Sequence, residues 1–262
     1  MPLIPIESLA DPRVAAYVNV KDRDLARWQG RFIAEGEHIV RRLLASDFEA
    51  ESVLMVERHV GEIGPLIHDY IPAYVVTTAL MNGITGMKFH SGILAVGLRK
   101  PLRTLDQVVP RDKPLTIVVC PELNNSENLG SLIRLCAGFG VDALLLGPRC
   151  HDPFWRLSVR VSMGTIFRLP LYQSQDILAD LARLQNEWGV ELIATVLDTD
   201  AEPLKHAKRS EKLAILLGNE AQGLERETVE ACDRRITIPM KLGTDSLNVA
   251  VAAGIFLHHF SD

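Results

Sequence analysis

From residue 115 onward the sequence repeats one pattern: a short, nearly all-apolar run, then a longer amphipathic stretch, then another apolar run. Thr116–Cys120 (TIVVC), Ala143–Leu146 (ALLL), Glu191–Val196 and Leu213–Leu217 are strand-sized and show little polar alternation. Segments of this kind are buried on both faces, which predicts a mainly parallel sheet covered by helices on either side. The stretches between them supply the helices. Leu129–Phe139 is predicted helical and stopped by Gly140. Asp152 and Pro153 suit an N-cap and a first helical position, and Ser174 opens an amphipathic helix running to about Trp188. A further helix follows Gly223, then a strand at Arg235–Ile238 and an apolar helix capped by Ser246 that reaches His259.

The first hundred residues alternate more weakly. Arg31–Ala34, Ser52–Val56, Ala73–Thr77 and Gly92–Val96 suit strands, and Gly36–Ala45 has helical spacing. Three prolines and several charges between residues 98 and 114 mark a linker. The expected organisation is therefore a small α/β domain over 1–98, a linker over 99–114 and a larger α/β domain over 115–262. With 47% hydrophobic residues the chain can form a proper core, and its net charge of −5 counts against a protein held to nucleic acid by charge alone but does not exclude RNA binding through local patches. Cys120, Cys136, Cys150 and Cys232 show no metal-ligand or disulfide spacing, so no metal is expected and a reducing compartment is. The opening residues lack a signal-peptide pattern and no apolar run approaches a membrane span, so a cytoplasmic protein is expected.

Ligands in open α/β sheets bind at the carboxyl ends of strands, and three loops there carry polar residues. The first, Asn124 to Arg134, leads into a helix whose free N–H groups favour an anion. Asn128 stands at or near its cap, and Arg134 lies nearly two turns in, among apolar residues. Either these are a cap and a buried ion-pair partner, or they belong to a functional pocket. In the second, Gly218-Asn219-Glu220-Ala221-Gln222-Gly223, two glycines bracket a carboxylate, which suits an ordinary turn or close approach to a ligand. The third runs from Pro239-Met240 to Ser246, Leu247 and Asn248 at the head of the last helix. Gly138-Phe139-Gly140 closes a helix instead of opening one, so it is no dinucleotide fingerprint.

In this order, the three loops resemble the SpoU (TrmH) family of RNA methyltransferases. Its first motif is similar to Asn128-Leu129-Gly130 through Arg134 and on to Gly140. The second is similar to Leu217-Gly218-Asn219-Glu220 with Gly223-Leu224, and the third to Ile238-Pro239-Met240 with Ser246-Leu247-Asn248-Val249-Ala250. Arg160 to Gly164 and Phe167 to Pro170 resemble a further family segment, and the match spans about Leu115 to Phe260. Arg31-Phe32-Ile33-Ala34-Glu35-Gly36, with Ile6-Glu7-Ser8 and Pro12-Arg13-Val14, looks like the family's substrate-binding domain. Nearby Arg23, Arg27, Arg31, Arg41 and Arg42 are candidates for phosphate contacts, or for a solvated helix surface, since acids interleave with them.

The resemblance implies a C-terminal trefoil knot of the SPOUT type, a homodimer through the C-terminal domain, and S-adenosylmethionine bound largely by backbone groups at Gly218, Ile238 and Leu247, with Thr195 as pocket wall. It also implies methylation of a ribose 2′-hydroxyl of structured RNA, with rRNA favoured over tRNA by the separate N-terminal domain. Arg134 would then lower the hydroxyl pKa by its charge and grip the adjacent phosphate, or act as general base. Asn128 would position Arg134 or the ribose, Glu220 would orient Arg134 or its partners, and Ser246 and Asn248 would complete the pocket. Glu127 is an acid beside the proposed phosphate site. Competing readings are a catalytically silent RNA- or ribosome-binding member, a base-methylating relative, and a dehydrogenase, against which the missing glycine fingerprint speaks.

Overall fold

A computed structural model describes residues 3–18, 30–219, 221–242 and 246–261. The chain forms two compact units, one of 1–101 with 153–167, the other of 102–152 with 168–262. Helix Leu105–Val108, with a Thr104–Gln107 capping box, occupies part of the stretch assigned to the linker, and its Leu105 and Val108 join the second unit's core.

The first unit is built on a five-stranded mixed sheet in the order β1-β4-β3-β5-β2, where β1 is Leu3–Pro5, β2 Arg31–Glu35, β3 Ala50–Val56, β4 Ala73–Val76 and β5 Ile93–Leu98. β1, β3 and β4 run parallel, and β5 runs antiparallel to both β3 and β2. Tyr17, buried in the core, shares a 2.7 Å hydrogen bond between its hydroxyl and that of Ser52, so neither polar group is left unsatisfied. The segment 153–167, placed by sequence in the C-terminal domain, packs in this unit. The reason is aromatic: Phe154 and Phe167 lie 5.2 and 5.4 Å from Phe32, and both contact Phe48. Its helix starts at Arg156 after Trp155, so Asp152 and Pro153 do not open it.

The second unit holds a seven-stranded sheet, all parallel, in the order β10-β12-β9-β11-β6-β7-β8. The strands are β6 Leu115–Cys120, β7 Ala143–Leu146, β8 Leu171–Gln173, β9 Glu191–Thr195, β10 Glu202–Pro203, β11 Lys212–Leu216 and β12 Arg234–Thr237. β6 and β7 are almost wholly buried, as their apolar sequences require. β11 and β12 each insert between strands formed earlier in the chain, which brings three carboxyl ends side by side. Gly140, at φ +68°, follows the helix Ser126–Gly138 in the left-handed conformation expected of a helix stop. Ser174 opens no helix: its hydroxyl is buried against the Asp180 carboxylate at 2.6 Å, and Asp176 caps Ile177–Arg183 instead, accepting from the Ala179 N–H.

Candidate active site

A cleft of about 470 Å³ opens at the carboxyl ends of β9, β11 and β12. Its walls come from the chain just past each strand: Thr195 to Asp198 after β9, Leu217 to Gly218 and Asn219 after β11, Ile238 and Met240 after β12. Ser246, Leu247 and the last helix close it through Val249, Ala252 and Phe256. Gly218, Ile238, Leu247 and Thr195 therefore all face one cavity, though they lie in four separate segments.

The β11 loop is a tight reversal. The Asn219 N–H donates to the Gly223 carbonyl at 3.0 Å, and the Gly223 N–H donates back at 2.8 Å. A Cβ on Gly218 would stand 2.4 Å from the Gly223 carbonyl carbon, so the chain can close here only without a side chain. Gly223 itself has φ +71°. The result is a cradle of backbone groups with an apolar wall, a lining with the main-chain donors, acceptors and apolar surface that a cofactor such as S-adenosylmethionine would need. The Thr195 hydroxyl is turned to the Leu216 carbonyl at 2.8 Å, which ties β9 to β11 at the cavity floor.

The polar residues of the first and third loops meet at the heads of two helices. Asn125, not Asn128, caps Ser126–Gly138; its side-chain oxygen accepts from the N–H groups of Glu127 and Asn128 at 2.8 and 3.0 Å. Asn128 sits inside the first turn, and its Oδ1 accepts from Nδ2 of Asn248 at 2.8 Å. Asn248, not Ser246, caps Val249–His259, with Oδ1 accepting from Ala250 at 2.9 Å. One asparagine thus serves as cap and as interhelical donor, a task a serine hydroxyl is too short to share. Ser246 is left lining the cleft. Glu127 is exposed, in the first helical turn, where the helix dipole favours an acid.

Arg134 is exposed on the Ser126–Gly138 helix, forms no ion pair with a described residue, and is absent from the cleft walls. The buried ion-pair alternative for it therefore fails among the described residues. Glu220 lies outside the described residues. The structure adds groups that the sequence does not single out, Asn125 as cap and Phe256 as apolar wall, and it gives Asn219 and Met240 of the second and third motifs their places, Asn219 closing the loop reversal and Met240 in the apolar wall. A signal existed for Asn125, a short polar residue directly before a helix. None existed for Phe256, whose role depends on tertiary packing.

Among the described residues no three or more His, Cys, Asp and Glu stand together as a metal site, and no helix is long and apolar enough to cross a membrane. The arginines of the first unit are engaged: Arg31 with Glu51, Arg41 with Glu37 and Glu62, and Arg42 with the Met163 carbonyl. Arg23 and Arg27 lie outside the described residues.

Comparison with known proteins extends this picture. The chain is 36% identical to an uncharacterized tRNA/rRNA methyltransferase of Mycobacterium bovis over 94% of its own length and 87% of the relative's. It is 26% identical to a 23S rRNA (guanosine(2553)-2′-O)-methyltransferase of Bacillus subtilis, covering 97% of this chain and 98% of that one. Its fold matches an AdoMet-bound rRNA methyltransferase from Sinorhizobium meliloti with a TM-score of 0.83 at 24% identity, over 98% and 97% of the two chains. A sequence model of the SpoU rRNA Methylase family matches residues 115–258, the span that carries every wall of the cleft. An RNA methyltransferase with S-adenosylmethionine as cofactor is what these likenesses jointly support, and the chain belongs to the SpoU rRNA methylase family.

Proposed function

We propose that this protein methylates a ribose 2′-hydroxyl of structured RNA, with rRNA favoured over tRNA. The observation that carries the proposal is the meeting of Asn128 and Asn248 at 2.8 Å beside a cleft lined by Gly218, Ile238, Ser246 and Leu247. Two asparagine amides and a serine hydroxyl offer donors and acceptors suited to a sugar edge. The ribosomal preference rests on the separate first unit and on the 2′-O-methyltransferase of 23S rRNA among the relatives.

Backbone groups at Gly218, Ile238 and Leu247 would hold S-adenosylmethionine, with Thr195 as wall. When bound, it supplies a methyl carbon made electrophilic by the adjacent sulfonium. The protein's share is alignment and proton management, and alignment alone contributes about 7–11 kcal/mol in favourable cases. Arg134 acts through its charge. A guanidinium stays protonated in proteins, so it favours loss of the hydroxyl proton by stabilising the developing alkoxide, and it grips the neighbouring phosphate. Asn128, held by Asn248, positions the ribose. Glu220 orients Arg134.

The homodimer belongs to the same reading. Arg134 does not line the cleft of its own protomer, and on the same helix pair Val251, Ile255 and Phe139 remain 52%, 39% and 37% exposed. A helix as uniformly apolar as Val249–His259 calls for cover on more than one side. A second copy seated on this face would bury those side chains and bring Arg134 toward the partner's cleft. The intertwined order of β11 and β12 in the sheet supports the knot as the underlying topology.

Nucleoside mass spectrometry of RNA from cells with and without the gene tests the proposal. A 2′-O-methylated nucleoside lost with the gene is the expected result; a lost base-methylated nucleoside, or no change in any, overturns it.

A further inference from the structure

One carboxylate outside the assigned residues joins the first loop to the second. Glu122 lies just beyond β6. Its Oε1 accepts from Nδ2 of Asn124 at 2.8 Å and from Nδ2 of Asn219 at 3.2 Å, and its Oε2 is ion-paired with the Arg149 guanidinium, 3.0 Å from Nε. Nη2 of Arg149 reaches on to Oε1 of Glu225 at 2.7 Å. Asn219 and Glu225 stand at the two ends of the β11 loop, flanking Ala221 to Leu224, all of which line the cleft. The Asn219 side chain also accepts from the Ala221 N–H at 2.9 Å, so its amide faces inward to the loop and outward to Glu122 at once. Glu225 occupies the cap position of Arg226–Glu230 but makes no capping hydrogen bond; its carboxylate turns to Arg149 instead.

This geometry differs from an isolated surface ion pair, which contributes little. Two amide N–H donors and the Arg149 guanidinium converge on one carboxylate that is only 25% exposed, and a carboxylate can accept from both amides and balance the cation without offering a donor of its own. Backbone cradles bind by preorganisation. If the loop is competent only a fraction of the time, the apparent dissociation constant rises by the inverse of that fraction.

We propose that Glu122 and Arg149 clamp Asn219 and Glu225, and with them the cleft-lining residues 221–224, in the conformation that receives S-adenosylmethionine, which makes Glu122 a positioning residue for cofactor binding. The proposal rests on the cleft being the cofactor site. Glu122 is not among the residues lining the cleft, and its effect is exerted through Asn219 and Arg149.

Isothermal titration of S-adenosylmethionine into the full-length protein tests both statements separately. Gly218→Ala, whose Cβ would meet the Gly223 and Leu224 backbone and force the loop reversal open, should abolish measurable binding. Glu122→Ala should raise the dissociation constant about tenfold, and Glu122→Gln and Arg149→Ala, which keep part of the network, about threefold each. Hydrogen exchange without cofactor should show amides 218–225 opening faster in Glu122→Ala while β6 is unchanged, a signature that general destabilisation does not produce. If Gly218→Ala binds like the wild type, the cleft is not the cofactor site and the clamp falls with it. If Gly218→Ala loses binding while the near-isosteric Glu122→Gln and exposed Arg149→Ala, both folded by circular dichroism, bind like the wild type, the clamp alone is overturned.

Discussion

Arginine is used differently in the two units. In the first, Arg31, Arg41, Arg156 and Arg160 are each matched to a glutamate, and Arg42 is satisfied by a backbone carbonyl. In the second, Arg111, Arg183, Arg234 and Arg235 are also paired, but Arg134 stands on an apolar helix with no described acid beside it. A guanidinium already held by a carboxylate has its charge balanced and its donors occupied, so it maintains shape. One left exposed among apolar neighbours is available for a ligand. On the proposed mechanism, RNA is handled where an arginine lacks an acid partner and not where arginines are densest along the sequence.

The contrast is tested most severely at its two extremes. Arg134→Ala should cut methyl transfer about 10²- to 10³-fold, the usual loss on removing one group that stabilises developing negative charge. Its affinity for S-adenosylmethionine should stay unchanged. Tritiated-methyl incorporation and titration calorimetry read the two quantities, and a variant that methylates at the wild-type rate removes Arg134 from the mechanism. The next largest effect concerns the face on which Arg134 stands. Ile255→Asp, placing a charge on the exposed apolar side of the last helix, should weaken self-association on the order of a hundredfold and lower activity in parallel. Light scattering during gel filtration reads the mass; an unchanged dimer, or a wild-type monomer, breaks the argument for a composite site.

Arg41→Ala supplies the opposite arm. Its guanidinium lies 2.9 Å from Glu37 and 3.0 Å from Glu62 at a partly exposed surface, so its loss should cost about 0–1 kcal/mol in urea unfolding and leave methylation within about twofold. A large drop in RNA affinity would show that a paired arginine can still be recruited by phosphate.

The same distinction explains what could be read from residues alone. The parallel sheet was legible because β6, β7, β9 and β11 must be apolar on both faces. β1, β8 and β10 were not, because Leu3–Pro5, Leu171–Gln173 and Glu202–Pro203 are two or three residues long, too short for any period, and two of them end in proline at a sheet edge. Caps were located to within a few residues but assigned to the wrong side chains. Asn125, Ser126 and Asn128, like Ser246 and Asn248, are all competent caps, and which one serves is decided by the neighbouring helix that Asn248 also reaches. The excursion of 153–167 into the first unit had no local signal, since it depends on Phe32 and Phe48, more than a hundred residues away. At the site, the glycines of the second loop were legible through their spacing. Glu122 was not, because a lone acid after a proline gains meaning only once Asn219 and Arg149 are brought to it.

The smallest expected effect lies in the paired arginines of the second unit. Arg111 and Arg183 flank the Trp188 ring, with guanidinium carbons 3.7 and 5.4 Å from its centre, and both bind Asp106 and Glu187. Hydrogen bonds from Arg111 and then Arg183 hold the Asp106 carboxyl below its ordinary range, and Arg183 does the same first for Glu187. A carboxyl whose pKa is lower in the folded state stabilises the fold above its unfolded value, about pH 4, and that contribution disappears as pH falls through the folded value. Asp106→Asn should therefore melt slightly below the wild type at pH 7, and the gap should close on acidification toward pH 2. In the first unit Glu37 is lowered by Arg41 with the same sign, so Glu37→Gln should follow the same course. A gap that stays constant with pH in either variant would mean that the carboxylate acts there by packing and not by charge, and the division between shape-holding and ligand-ready arginines would then have to be drawn on exposure alone.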